Sequence, residues 1–175
     1  ESEFIVFCGV HFMAESAKVL NPEKKVLLPN LGAGCSLADS ITPESLDDWK
    51  RQYPGYTVVT YINSSAEVKA ESDIVCTSAN AVAVVRSLPN NKILFTPDRN
   101  LGRWVQSQVP EKEMAIYDGA CPTHDILRGA NLLKTHETYP EAVVIDHPEC
   151  REDIVALADE VCSTTGMLAA GERHP

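Results

Sequence analysis

The stretch CSLADSITPESLDDWKRQYPGYTVVTYINSSAEVKAESDIVCTSA (Cys35–Ala79) lies without a gap on CPTHDILRGANLLKTHETYPEAVVIDHPECREDIVALADEVCSTT (Cys121–Thr165) when the chain is shifted by 86 residues. Tyr53-Pro54 then falls on Tyr139-Pro140, Val58-Val59 on Val144-Ile145, and Cys76 on Cys162. Self-similarity at a fixed spacing marks a repeated structural unit. A second shift, of 68 residues, lays FCGVHFMAESAKVLNPEKKVLLPNLGAG (Phe7–Gly34) on VCTSANAVAVVRSLPNNKILFTPDRNLG (Val75–Gly102), with Cys8 on Cys76 and Pro29 on Pro97. The chain therefore reads as three related units: the tail of one over 1–35, a complete one over 36–121 and the head of a third over 122–175. Its ends read as cut, because Phe4–Cys8 is an apolar strand with almost nothing before it.

Within a unit, short apolar runs alternate with helical stretches. Pro43 after Thr42 marks a helix start, and the spacing predicts a helix over Pro43–Tyr53. A strand is expected over Thr57–Ile62, a short helix over Ala66–Ser72, a strand over Asp73–Thr77 and a helix over Ala79–Ser87. Lys92–Thr96 reads as a strand, and a helix follows over Leu101–Ser107 with Asn100 as its N-cap. A further helix is expected over Arg151–Leu157. Strand–helix alternation of this kind implies parallel sheets covered on both faces. The fold class is therefore α/β: three-layer αβα units with parallel sheets, repeated with pseudo-threefold symmetry, the first and third incomplete here.

In such sheets ligands bind beyond the carboxyl ends of the strands. The 86-residue shift pairs polar groups at those ends: Tyr61 with His147, Asn63 with Glu149, and Ser78 with Thr164. If the units surround a common axis, these groups converge on one central pocket, and Cys35 and Cys121 occupy matched positions beside it. A third unit then supplies a third cysteine about 86 residues beyond Cys121. His147-Pro148-Glu149 fixes an imidazole and a carboxylate on either side of a rigid residue, a pair suited to proton transfer or to holding a polar substrate group. Plainer roles stand beside these: turn chemistry for Tyr61 and Asn63, and helix capping for Glu149.

Composition narrows the partners. The 175 residues are 44% hydrophobic and 23% charged, with a net charge of −10. An acidic chain is a poor match for a duplex nucleic acid. No run of 18 apolar residues exists, so no membrane span is expected, and Glu1–Phe7 lacks the basic region of a secretory signal. A cytoplasmic location is the expectation. The six cysteines form no C-x-x-C pair, which argues against a zinc ribbon or a thioredoxin motif. Cys8, Cys76 and Cys162 read as core residues at strand ends and Cys150 as structural. His11 and His136 read as surface or edge residues, while Phe12 and Met13 fit an apolar helix face.

FCGVHFMAESAKVLNPEKKVLLPNLGAGCSLAD, YINSSAEVKAESDIVCTSANA, FTPDRNLG and VIDHPECREDIVALAD resemble the quinolinate synthase family, an iron–sulfur transferase family of NAD (pyridine nucleotide) biosynthesis. The resemblance covers nearly the whole chain. It implies three homologous αβα domains around a pseudo-threefold axis, and condensation of iminosuccinate (iminoaspartate) with dihydroxyacetone phosphate to quinolinate. It also implies a [4Fe-4S] cluster held by one cysteine per domain, with one iron left open as a Lewis acid. By matching position, Cys35 and Cys121 are two cluster ligands, and the third lies outside this chain. Tyr61, His147 and Glu149 are implied as catalytic. Tyr61, Ile62, Asn63, Ser78, His124, His147, Pro148, Glu149 and Thr164 are implied as substrate-binding. L-aspartate oxidase or aspartate dehydrogenase is the implied functional partner. The chain departs from the family pattern at Cys162, where glycine is usual. A fragment of this extent is expected to be inactive alone and to expose apolar faces in its two incomplete units. Two other readings remain open: a truncated, non-catalytic module binding a small dicarboxylate or a metal on the same scaffold, and a plain α/β domain with buried cysteines.

Overall fold

The computed structural model describes residues 2–174. A four-stranded parallel sheet forms the centre. Its strands are β3 (Thr57–Tyr61), β4 (Ile74–Cys76), β5 (Lys92–Thr96) and β6 (Glu113–Ile116), in the order β4-β3-β5-β6. Successive side chains of a strand point to opposite faces. Val59, Ile93 and Phe95 therefore enter one apolar layer with Val85 of α4 (Ala81–Ser87) and with Leu101 and Val105 of α5 (Arg99–Gln108). Val58 and Leu94 enter the opposite layer with Leu46 of α2 (Pro43–Gln52) and Val68 of α3 (Ala66–Ala70). The result is helices on both faces of a parallel sheet, as the alternating pattern requires. At the start of α2, Thr42 and Ser45 bond each other's backbone N–H, and Pro43 occupies the first turn, where its missing N–H costs nothing.

Two smaller parallel sheets flank this one. The first pairs β1 (Phe4–Val6) with β2 (Lys25–Leu27), with α1 (His11–Leu20) between them in sequence. The other pairs β7 (Ile145–Asp146) with β8 (Glu160–Val161). It is accompanied by α6 (Pro122–Asp125), α7 (Gly129–Thr138), α8 (Glu152–Val155) and α9 (Thr164–Arg173).

The 86-residue spacing is carried into three dimensions. α2 and α7 start and stop at matched residues. Val59 pairs with Ile74, and their counterparts Ile145 and Glu160 pair in the same register. Even a side-chain bond repeats: Asp73 accepts from the Val58 N–H at 2.7 Å, and Asp159 from the Val144 N–H at 2.8 Å. The 68-residue shift is followed less closely. β1 pairs directly with β2, whereas β4 and β5, which hold their counterparts, are separated by β3.

Several local expectations are corrected. The N-cap of α5 is Asp98, not Asn100: its Oδ1 accepts the Leu101 N–H at 2.7 Å. The helix starts two residues earlier than the apolar spacing indicates, because an aspartate can cap as well as an asparagine. Cys8 is exposed and Cys162 only half-buried, so neither is a core residue. Their sheets have two strands each and cannot cover both faces. Met13 is exposed on α1 although its neighbour Phe12 is buried. The large exposed apolar side chains cluster in 4–31 and 126–168, among them Val19, Leu20, Leu31, Ile126 and Leu168. A buried lysine closes the far edge of the central sheet. Lys112 Nζ donates to the carbonyls of Leu88 (2.6 Å) and Asn90 (3.1 Å) and to Asn91 Oδ1 (3.3 Å). No carboxylate balances it among these contacts.

Candidate functional site

The carboxyl ends of strands from all three sheets open on one cleft of about 620 Å³. The segment after β1 brings Val10, Phe12 and Met13, and the turn before α2 brings Cys35. Tyr61 lies at the end of β3 and Asn63 just beyond it. His147 and Glu149 follow β7, Thr164 begins α9 and His124 comes from α6. Seven of the residues singled out in the sequence thus meet in one place. Ser78 is joined to them through His147, whose Nε2 lies 3.1 Å from Ser78 Oγ. Ile62, Pro148 and Cys121 are not among the cleft-lining side chains. The apolar contributors Val10 and Met167 were not foreseen, because an apolar side chain carries no sign of facing a cleft rather than a core.

Glu149 is the centre of the polar cluster. It is 3% exposed, and one carboxylate oxygen, Oε1, has no hydrogen-bond partner among the described residues. The other, Oε2, lies 3.0 Å from His124 Nδ1 and 3.8 Å from His147 Nδ1. The His124 contact is close but off the line of an aligned hydrogen bond, so it is an ion pair. The two imidazoles stack with centroids 5.2 Å apart. Glu149 does not cap the following helix, whose N-cap is Arg151.

Charges in this cluster are separated by environment. Contact with Glu149 raises His124 to about 9 against the opposing effect of burial, so His124 is cationic at neutral pH. Burial, helped by the nearby His124 charge, lowers His147, which stays neutral. Burial alone would raise the Glu149 carboxyl, but contact with His124 and Tyr61 and the charge of His124 hold it below the ordinary carboxylate range. Burial first, and then the Glu149 charge, raises the Tyr61 phenol, which stays protonated. The Glu149 N–H points at His147 Nδ1 (3.3 Å), so that nitrogen accepts. The ring proton of neutral His147 therefore sits on Nε2, facing Ser78. Groups pushed to opposite charge states in one pocket are the usual arrangement for splitting acid and base roles.

Cys121, His124 and Glu149 also form a candidate metal group, with donor atoms all within 4.8 Å of one another. Cys35 and Cys121 are free, half-buried thiols packed on the same apolar cluster. The Cys121 backbone is fixed by the α5 cap, since Asp98 Oδ2 accepts its N–H at 3.1 Å. Asp98 is fully buried, and burial raises its carboxyl to about 6 against the N–H groups that favour its charge. Asp98→Ala removes the cap and leaves the Cys121 N–H unpaired. A loss of roughly 2–4 kcal/mol of stability is expected, the sum of a cap and an unmet buried donor. Urea denaturation of the variant checks it, and a loss below the value of a single cap would contradict this account.

Parallel αβα units with strand ends gathered on a cleft of carboxylate, imidazole and thiol groups define an α/β protein with a candidate metal-binding group beside its cleft. The family model for quinolinate synthetase A protein matches residues 1–175, and the chain belongs to that family. It is 57% identical over 166 residues to a quinolinate synthase of Caldicellulosiruptor saccharolyticus, covering 95% of this chain and 55% of that protein. It is 53% identical over 175 residues to a quinolinate synthase of Geotalea uraniireducens, covering 100% and 57%. A quinolinate synthase of Pelobacter propionicus is 56% identical over 167 residues, covering 95% and 55%. The chain spans about half the length of the curated relatives it matches.

Proposed function

We propose that this chain is the central part of a quinolinate synthase. The whole protein condenses iminosuccinate with dihydroxyacetone phosphate, releasing phosphate and two waters as the pyridine ring of quinolinate closes. The observation that carries this reading is the single cleft on which Cys35, Tyr61, Asn63, His124, His147, Glu149 and Thr164 converge from three sheets. The division into units over 1–35, 36–121 and 122–175 goes with it. Among the described residues no helix is long and apolar enough to cross a membrane. A cytoplasmic location, with L-aspartate oxidase or aspartate dehydrogenase supplying the imine, completes the proposal.

The donor set fits an iron–sulfur cluster. Thiolates are the ligands such clusters take, Cys35 and Cys121 are free and half-buried, Cys35 lines the cleft and Cys121 lies beside His124 and Glu149, and Glu149 Oε1 is a buried oxygen without a partner among the described residues. Cys35 and Cys121 would hold a [4Fe-4S] cluster together with a third cysteine from the rest of the protein. Bound there, the cluster would supply a Lewis acid for a substrate hydroxyl or carboxylate. The remaining work falls to side chains. The uncapped N-terminus of α1 and the N-terminus of α9 at Thr164 both border the cleft, and helix N-termini favour carboxylate or phosphate. Cationic His124 adds a charge for the same anions. Glu149, ionised and within reach of two imidazoles, is the base, and the neutral Nε2–H of His147 is a donor held in place by Ser78.

The test is formation of quinolinate from the two substrates by the full-length protein, purified and loaded with iron and sulfide under anaerobic conditions. Quinolinate together with phosphate is the expected product. Iron loading without product would favour a non-catalytic binding module, and no iron at all would leave a plain α/β domain.

A further inference from the structure

Asn100 reads in the sequence as a helix N-cap, and the chemistry above uses neither it nor Arg99. Asn100 lies in the first turn of α5, is 5% exposed and, since Asp98 takes the cap, has its side chain free for another task. Its amide nitrogen spends its two hydrogens on two acceptors far away in sequence. One is Asp125 Oδ1 at 3.1 Å, and the other is the main-chain carbonyl of Glu149 at 3.0 Å. Asp125 is the last residue of α6, which carries His124, and it also binds Arg99 at 3.1 Å.

A four-residue helix does not hold its own shape or place, so α6 takes its position from tertiary ties. The Glu149 turn is similarly short, closed by the Cys150 N–H to the His147 carbonyl at 2.9 Å. The base of these ties is rigid. Leu101 and Val105 are fully buried, and Gly102 packs so closely that an added Cβ would lie 2.7 Å from Ile116 Cγ2. Two donors of one side chain thus set the segment of His124 and the backbone of Glu149 relative to each other and to the central sheet.

We propose that Asn100 is a positioning residue that fixes the Glu149–His124 geometry by donating simultaneously to the Glu149 carbonyl and to Asp125. It acts through Glu149 and does not touch substrate. The kinetic side of the test rests on the quinolinate synthase reading, but a second readout does not.

In the full-length protein, Asn100→Ala is expected to lower kcat about 10–100-fold, the range for groups that orient a catalytic residue, with KM and iron content near those of the unaltered protein. Hydrogen exchange in 147–151 is expected to quicken by about tenfold, the effect of losing one buried tie on local opening, with no change in the central sheet. The double exchange Asn100→Asp with Asp125→Asn restores a bond between positions 100 and 125 but leaves the Glu149 carbonyl facing a carboxylate. Its kcat is expected to stay low. Recovery in the double variant, or unchanged kcat and exchange in Asn100→Ala, overturns the proposal. So does exchange quickened throughout the molecule with loss of iron, which is the mark of a merely structural role. If Asn100→Ala does not fold, Asn100→Ser carries the same comparison, and failure of both to fold also overturns it. If the unaltered protein makes no quinolinate, the functional reading fails, and exchange in 147–151 still decides the role of Asn100.

Discussion

In the full-length protein, the proposed cluster assignment predicts that Cys121→Ser removes the cluster and, with it, turnover. The substitution changes one atom. The backbone at this position is held by Asp98 through the Cys121 N–H, so the serine hydroxyl occupies nearly the place of the thiol. What changes is chemistry: a thiol ionises readily beside iron and is a soft donor, while an alcohol is neither. Iron after anaerobic loading should fall from about four per full-length polypeptide to below about one, since each cluster needs its thiolate anchors. Turnover should fall by at least about a thousandfold, the worth of losing several kcal/mol of Lewis-acid stabilisation. Cys76→Ser is the control. Cys76 is buried in the central core at 1% exposure, where burial raises its thiol to about 12, so its loss should reduce stability and leave iron in place. Full iron content and turnover in Cys121→Ser would refute the cluster assignment.

Glu149→Gln is expected to cut turnover by at least about 100-fold, within the usual worth of an acid–base group. The amide is nearly isosteric, so the cleft keeps its shape. The negative charge facing His124 disappears, however, and the His124 imidazolium loses the contact that raises its pKa. The variant should still load iron, because Cys35 and Cys121 are untouched. Steady-state kinetics of the full-length protein check this, and a near-normal kcat would sink the role of Glu149 as base.

Much of the architecture was legible because the repeat is written in the spacing. α2 and α7, the register of β3–β4 and β7–β8, and the Asp73 and Asp159 bonds all obey the same shift. Strand-end polar residues converge because parallel sheets gather their carboxyl ends on one side. What could not be read depends on partners distant in sequence. The exposure of Cys8 depends on how few strands its sheet has. The choice between Asp98 and Asn100 as cap was open, since both residue types cap well. The task of Asn100 lies 25 and 49 residues away, in contacts that no local pattern encodes.

The buried ammonium of Lys112 has a practical consequence. Its nitrogen is enclosed by the carbonyls of Leu88 and Asn90 and by Asn91 Oδ1, and the residue is 7% exposed. An amine-acylating reagent reaches it only when the edge of the central sheet comes apart, while lysines on the surface react at once. The rate at which Lys112 is labelled is therefore a clock for opening of the central sheet, whose strand β3 delivers Tyr61 to the cleft. That clock runs in the intact protein, without denaturant, and one peptide in a mass spectrum reads it.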